Sequence, residues 1–279
     1  MGSPDKRAFS SAKHRHGEWN TRISNTKNVF LRLVWNLISF KRRGVDNVGK
    51  VASENSLILD LGSGNGAYAY WLLGRKKCII VTLDWSFDAL RDCRNMFRVC
   101  ADMTTLPFKQ NVFDHLYSID ALGHVDNPGM VLDEAGRVVK PGGHLFMHSE
   151  CADYRDRWPD KSLIKLHGKD LLALQDGHFC LRHSHELYRE YKKRFLLYSF
   201  FSPAGIAGWL LGYPEKYYPV FKKSRWHCAA IITLLFASIK RLPLLGGILR
   251  VINAVSNRCE LVLGLKGGGS CFAQMKKAE

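Results

Sequence analysis

At 279 residues the chain has room for one large domain, or for one domain carrying a sizeable insertion. Its 46% hydrophobic and 24% charged residues exclude wholesale disorder, and none of its eight cysteines forms a CxxC pair, which argues against a zinc ribbon. The net charge of +16 is unevenly spread: residues 1–50 and 151–279 are strongly basic, whereas residues 51–150 hold 9 basic and 12 acidic side chains.

The N-terminus is basic and lacks the apolar run of a secretion signal, and position 6 is not the Ser or Thr that myristoylation requires. Together with the scattered cysteines, this predicts reduced thiols and a cytoplasmic setting. Val29–Phe40 is apolar and is followed at once by Lys41-Arg42-Arg43. It predicts a helix within an N-terminal segment, residues 1–55, that covers an acceptor pocket or lies on a membrane surface.

Short apolar runs follow at Leu57–Leu61, Cys78–Leu83, Phe113–Ile119 and His144–His148, the pattern of strands buried on both faces of a parallel sheet. Between them, residues 67–74, 86–97 and 130–139 have helical spacing, the last stopped by Pro141-Gly142-Gly143. Alternation of this kind predicts an α/β, Rossmann-like, doubly wound sheet with helices on both faces.

The first strand runs into Asp60-Leu61-Gly62-Ser63-Gly64-Asn65-Gly66. Glycines at a strand-to-helix turn let a ligand approach the backbone closely. Gly62, Gly64 and Ala67 also fit a dinucleotide fingerprint, but Asp60 would repel a pyrophosphate and attract an ammonium group. S-adenosyl-L-methionine, with a sulfonium, an ammonium and one carboxylate, suits that charge. Asp84 ends the second strand where an acid can accept from ribose hydroxyls, and Asp102 follows the next apolar stretch, within reach of an adenine amino group. Trp85 and Met103 offer apolar faces to the ring.

Taken together, LDLGSGNG, VTLDWS, ADMTTLPFKQNVFDHLYSI and VVKPGGHLFM resemble a class I S-adenosylmethionine-dependent methyltransferase over residues 56–150. The resemblance implies a seven-stranded sheet. It also implies that Asp60, Gly62, Gly64 and Gly66, with Ser63 in the same turn, face the methionine part of the cofactor, Asp84 the ribose, and Asp102 and Met103 the adenine, beside Trp85. Asp120, at the end of the fourth strand, is taken with this set.

Acceptors in such folds bind above the carboxyl ends of the strands. The candidates for a general base there are His148, then His124, then Glu150, each of which could equally be a structural hydrogen-bonder. His167, His178, His183 and His185 form a second group, with His183 and His185 on one strand face or in a loop. They show no carboxylate–histidine framework, so no metal is expected from them. The motifs used on exocyclic amino groups or cytosine carbon of nucleic acids are missing, so nucleic acid is disfavoured.

Arg194–Ser202 and Ser270–Lys276 read as the sixth and seventh strands, completing a core of residues 56–202 and 270–279. The intervening residues 203–269 are apolar, with only Glu215 and Glu260 as acids. Cys228–Ile239 is too short to span a membrane, so two helices around 226–240 and 244–257 are expected. Their basic ends (Lys222, Lys223, Arg225, Lys240, Arg241, Arg250, Arg258) suit an interfacial hairpin on anionic lipid, and a lid or dimer interface is the alternative. The layout also resembles bacterial methyltransferases of cell-surface glycan or lipid biosynthesis. The expectation is methyl transfer to a hydrophobic or lipid-linked small molecule, with oxygen the preferred acceptor. An RNA methyltransferase using the basic flanks and a non-catalytic partner subunit are the alternatives.

Overall fold

The computed structural model describes residues 39–279 apart from Phe179, Ala207 and Tyr213. The expected helix within Val29–Phe40 lies almost wholly outside the described residues. Helix α1 (Phe40–Val51) starts where that run ends, with Ser39 as its N-cap. The core then runs β1 (Leu57–Leu61), α2 (Ala67–Leu73), β2 (Ile79–Asp84), α3 (Phe87–Leu90), β3 (Phe97–Cys100), β4 (Phe113–Ile119), α4 (Pro128–Val138) and β5 (Val139–Glu150). Helices α5 (Asp160–His167), α6 (Leu171–Asp176) and α7 (Ser184–Arg194) precede β6 (Leu196–Phe201), and β7 (Ser270–Lys276) closes the fold.

The seven strands are ordered β3-β2-β1-β4-β5-β7-β6. The first five are parallel, and β7 lies antiparallel between β5 and β6. Strand order therefore reverses between β1 and β4, and the crevice above their carboxyl ends is where a ligand fits this topology.

Both faces are covered. On one, Val45 and Val48 of α1 and Trp71 and Leu72 of α2 pack on Ile58, Tyr117, Phe146 and Phe272. A Cβ on Gly44 would stand 1.9 Å from the Phe146 ring, so this glycine lets α1 lie directly on the sheet. On the other face, Val131, Leu132 and Ala135 of α4 and Leu187 and Tyr191 of α7 cover Leu59, Leu116, Leu145 and Met147.

Several boundaries differ from the periodicity. The helix expected over 86–97 is only four residues long. Ser86 caps its start, but the chain turns at Asn95, whose φ is 63°, to feed the edge strand β3. Strand β5 begins before Pro141-Gly142-Gly143 rather than after it, with Gly142 at φ 76° and a register irregularity against β4. His185 lies inside α7 and His183 caps it, so neither is on a strand. Arg194 ends that helix instead of opening β6.

Between β6 and β7 the chain forms α8 (Pro214–Lys223), α9 (His227–Arg241) and α10 (Pro243–Val262). Pro203 pairs with Lys266 at the neck of this segment, and Glu260 accepts from the amides of Gly205 and Ile206 at 2.6 and 3.2 Å. The inner face of α9 buries Ala230, Thr233, Ala237 and Lys240, a helical period. Ile231 and Leu235 on α9 and Leu244, Ile248 and Ile252 on α10 are exposed. Among the described residues no single helix is long and apolar enough to cross a membrane; His227–Arg241 and Leu244–Val262 qualify only as a pair, bent by 115°.

Candidate active site

One cavity of about 1040 Å³ opens above the carboxyl ends of β1, β2, β4 and β5. The turn after β1 forms its floor. The amides of Gly62 and Ser63 both donate to the carbonyl of Leu83, at 2.8 and 2.9 Å, which ties the turn to the end of β2. Asp84 braces it from the other side: Oδ2 accepts from Gly64 N at 2.8 Å and Oδ1 from Ser86 N at 2.9 Å.

The glycines are unequal. A Cβ at Gly62 would come within 2.5 Å of the Ala121 Cβ, whereas one at Gly64 would meet nothing within 4 Å, although φ is positive at both. Gly62 is thus required by packing, and Gly64 presents bare backbone to the cavity. The hydroxyl of Ser63 is buried, lines the same space and has no hydrogen-bond partner among the described residues. Asp60 and Asp84, at 2% and 1% exposure, line the cavity too, with Trp85 beside them. Bare backbone, an unanswered hydroxyl and two sequestered carboxylates fit a zwitterionic, cationic nucleoside better than a pyrophosphate.

Gly66, Asp102 and Met103 do not line the cavity. Gly66 lies against Cys93, whose sulfur would be 2.8 Å from a Cβ there. Met103 is buried behind Gly62. Asp102 Oδ1 accepts from the amide and hydroxyl of Thr104, at 2.8 and 2.7 Å, closing a turn after β3.

Asp120, placed with the cofactor set on sequence, sits between two bases. It follows β4 directly, in the left-handed region at φ 56°, with one oxygen 2.6 Å from His148 Nδ1 and the other on the Lys41 ammonium. Burial alone would raise its carboxyl, but Lys41 and then His148 outweigh it and hold the group well below the usual carboxylate range. His148 is 3% exposed, its ring 4.5 Å from that of Phe272; neither ring nitrogen has a hydrogen bond among the described residues, and Nδ1 meets Asp120 as a close charge contact. A buried imidazole with a carboxylate at one nitrogen and the other unengaged is the arrangement of a proton acceptor. Lys41 was missed on sequence because it follows an apolar run and reads as a membrane flank.

Glu150, two residues along β5, lies 3.4 Å from His178 Nε2. Burial and Asp120 would raise its carboxyl, yet His178 and His124 bring it down to about 2. Burial would lower the His178 imidazole, but Glu150 overcomes it and raises it. The other histidines of the sequence group are elsewhere: His167 bonds Ser224 at 2.7 Å, and His183 and His185 stack near Asp153. Lys240, expected at a lipid-facing end, is buried on Glu215 at 2.9 Å and lines the cavity with Arg250, Trp209 and Tyr217.

The family model described as "Methyltransferase domain" matches residues 59–147. The demethylmenaquinone methyltransferase of Renibacterium salmoninarum is 32% identical over 124 residues, 42% of this chain and 51% of that protein. The mitochondrial ubiquinone biosynthesis O-methyltransferase of Rattus norvegicus is 33% identical over 102 residues, 32% of this chain and 29% of that one. The chain thus spans about half the length, or less, of these curated relatives. In fold, it is similar to phosphoethanolamine N-methyltransferase 2 of Haemonchus contortus, with a TM-score of 0.55 at 13% identity, covering 97% of this chain and 60% of the other. It is also similar to the geranyl diphosphate C-methyltransferase of Streptomyces coelicolor, with a TM-score of 0.53 at 15% identity, covering 85% and 78%. Residues 59–147 therefore form a methyltransferase domain, set in a seven-stranded sheet of the topology found in class I S-adenosylmethionine-dependent methyltransferases.

Proposed function

We propose that the chain transfers a methyl group from S-adenosyl-L-methionine to an oxygen of a hydrophobic or lipid-linked small molecule. The observation that carries the oxygen preference is the Lys41–Asp120–His148 chain beside the cofactor turn. When bound, the cofactor supplies a methyl group already activated on a sulfonium. Asp60, Ser63, Gly64 and Asp84 would hold it at the floor of the cavity. His148 takes the hydroxyl proton at Nε2, and Asp120 stabilises the imidazolium that forms while Lys41 keeps Asp120 ionised. Positioning of donor and acceptor in line does the rest.

The apolar character of the acceptor is supported by the aromatic and aliphatic roof: Trp158, Leu172, Trp209, Leu211 and Tyr217 line the outer part of the cavity. It is also consistent with relatives named for menaquinone, ubiquinone and sterol methylation. The exposed stripes of α9 and α10, bordered by Lys222, Lys223 and Arg241, suit contact with an anionic membrane surface from which such an acceptor would enter.

The test uses methyl-labelled S-adenosylmethionine with total lipid and total RNA as competing acceptors. Label in the organic phase, lost with His148→Ala, is expected. Label in RNA alone, with a steep salt dependence of binding, would refute the acceptor class.

A further inference from the structure

Three side chains outside the Asp120–His148 pair meet in the same cavity. His124 comes from the 3₁₀ turn Leu122–His124 after β4, Glu150 from the end of β5, and His178 from the loop after α6. One candidate ligand atom from each lies within 4.8 Å of the other two. The His124 and His178 rings are 4.6 Å apart, and Oε1 of Glu150 is 3.4 Å from His178. All three residues line the cavity.

We infer that His124, Glu150 and His178 form a binding site for a first-row divalent transition-metal ion, with open coordination positions facing the acceptor end of the cavity. Two further features favour an ion over a simple Glu150–His178 pair. Oε2 of Glu150 is buried and accepts no hydrogen bond from the described residues, which an ion pair alone leaves unexplained. Nδ1 of His124 lies 3.1 Å from the carbonyl of Gly177, which can only accept, so in the neutral imidazole that a metal requires this nitrogen carries the proton and Nε2 is the ligating atom. A backbone carbonyl on the far nitrogen is the usual support of a metal-ligating histidine.

The donor set selects the ion. Two imidazoles and one carboxylate suit Zn²⁺, Co²⁺ or Fe²⁺, whereas Mg²⁺ and Ca²⁺ prefer oxygen throughout. Ligand atoms around such an ion stand ~3–3.5 Å apart, so ring rotations of about 1 Å close the present spacing. The second histidine group is a natural control. Asp153 there already accepts from the amide and hydroxyl of Ser184, at 2.7 and 3.1 Å, and His185 is exposed. Sequence spacing could not join the three ligands, because they come from a turn after β4, the end of β5 and a loop after α6. An ion here would grip and polarise an acceptor oxygen close to His148.

The experiment needs no methyl acceptor. The full-length chain, stripped with a chelator, is titrated with Co²⁺ and followed by visible absorption, with Zn²⁺ as competitor. One equivalent with the weak d–d bands of nitrogen and oxygen donors is expected. His178→Ala and Glu150→Gln should each weaken binding ~100-fold or more, and His185→Ala should leave it unchanged. Each variant is checked by circular dichroism, and His178→Asn replaces the alanine variant if that one unfolds. No Co²⁺ spectrum from a folded chain, an intense thiolate charge-transfer band, or binding that survives both ligand variants would overturn the inference. Because the readout is the ion itself, failure here leaves the methyl-transfer reading standing, and the reverse.

Discussion

Gly62 and Gly64 lie two residues apart in one turn, both with positive φ, yet they should fail in different ways when replaced by alanine. At Gly62 the new methyl group would sit 2.5 Å from the Ala121 Cβ and 3.0 Å from Met103 Cε, both buried. Left-handed strain of about 1 kcal/mol and overpacking of about 1–3 kcal/mol together predict a loss of roughly 2–4 kcal/mol in folding stability. That lowers the urea midpoint by about 1 M or more. At Gly64 nothing stands within 4 Å, so only the strain of about 1 kcal/mol applies to the fold. The methyl group would instead project where a ligand meets the backbone, and S-adenosylhomocysteine should bind ~10–100-fold more weakly. Urea unfolding followed by tryptophan fluorescence, and isothermal titration with S-adenosylhomocysteine, separate the two effects. Wild-type affinity in Gly64→Ala, or equal destabilisation by both variants, would refute this account of the turn.

Burial pushes the carboxyl of Asp160 up to about 7, against the opposing hydrogen bonds from Tyr217. The folded chain therefore holds a proton that the unfolded chain gives up near pH 4, and stability should fall as pH rises from about 4 to 7, by up to about 4 kcal/mol. Asp160→Asn should remove that slope in urea melts at pH 5 and 8; an unchanged slope would contradict it. Gly44→Ala should cost about 1–3 kcal/mol by driving a methyl group into Phe146, and Phe146→Leu in the same chain should recover part of it in thermal melts. For the membrane surface, Ile231→Asp with Ile252→Asp removes two exposed apolar contacts, each worth about 1.5–3 kcal/mol if buried in lipid. Flotation with anionic vesicles should fall at least tenfold, and undiminished flotation would exclude α9 and α10 as the contact.

The parts of the fold legible in the sequence are those fixed by local periodicity and by position at a strand end. Leu57–Leu61 followed by the glycine turn, Asp84 at the close of β2, and the seventh strand at Ser270–Lys276 all appear where the residue pattern puts them. Asp60, Ser63, Gly64 and Asp84 share one cavity because each lies at or just past the carboxyl end of a parallel strand. What could not be read was set by tertiary contact. Lys41 belongs to a basic run that looks like the flank of a membrane-surface helix, yet α1 folds over the sheet on Gly44 and carries its ammonium to Asp120. Lys240 is similar, turned inward by Glu215. The 86–97 stretch had helical spacing, but the short edge strand β3 must begin at Phe97, and pairing with β2 takes precedence over the helix.

The central claim is that the floor of this cavity recognises S-adenosyl-L-methionine through Asp60, Asp84 and the turn between Gly62 and Gly66. Isothermal titration of the full-length chain with S-adenosylmethionine tests it most directly, with Asp60→Ala titrated alongside. The account predicts one site per chain, with binding weakened at least ~10-fold in the variant while its circular dichroism spectrum is unchanged. A folded wild-type chain that gives no binding heat at several temperatures, or an Asp60→Ala chain that binds as well as wild type, would contradict it.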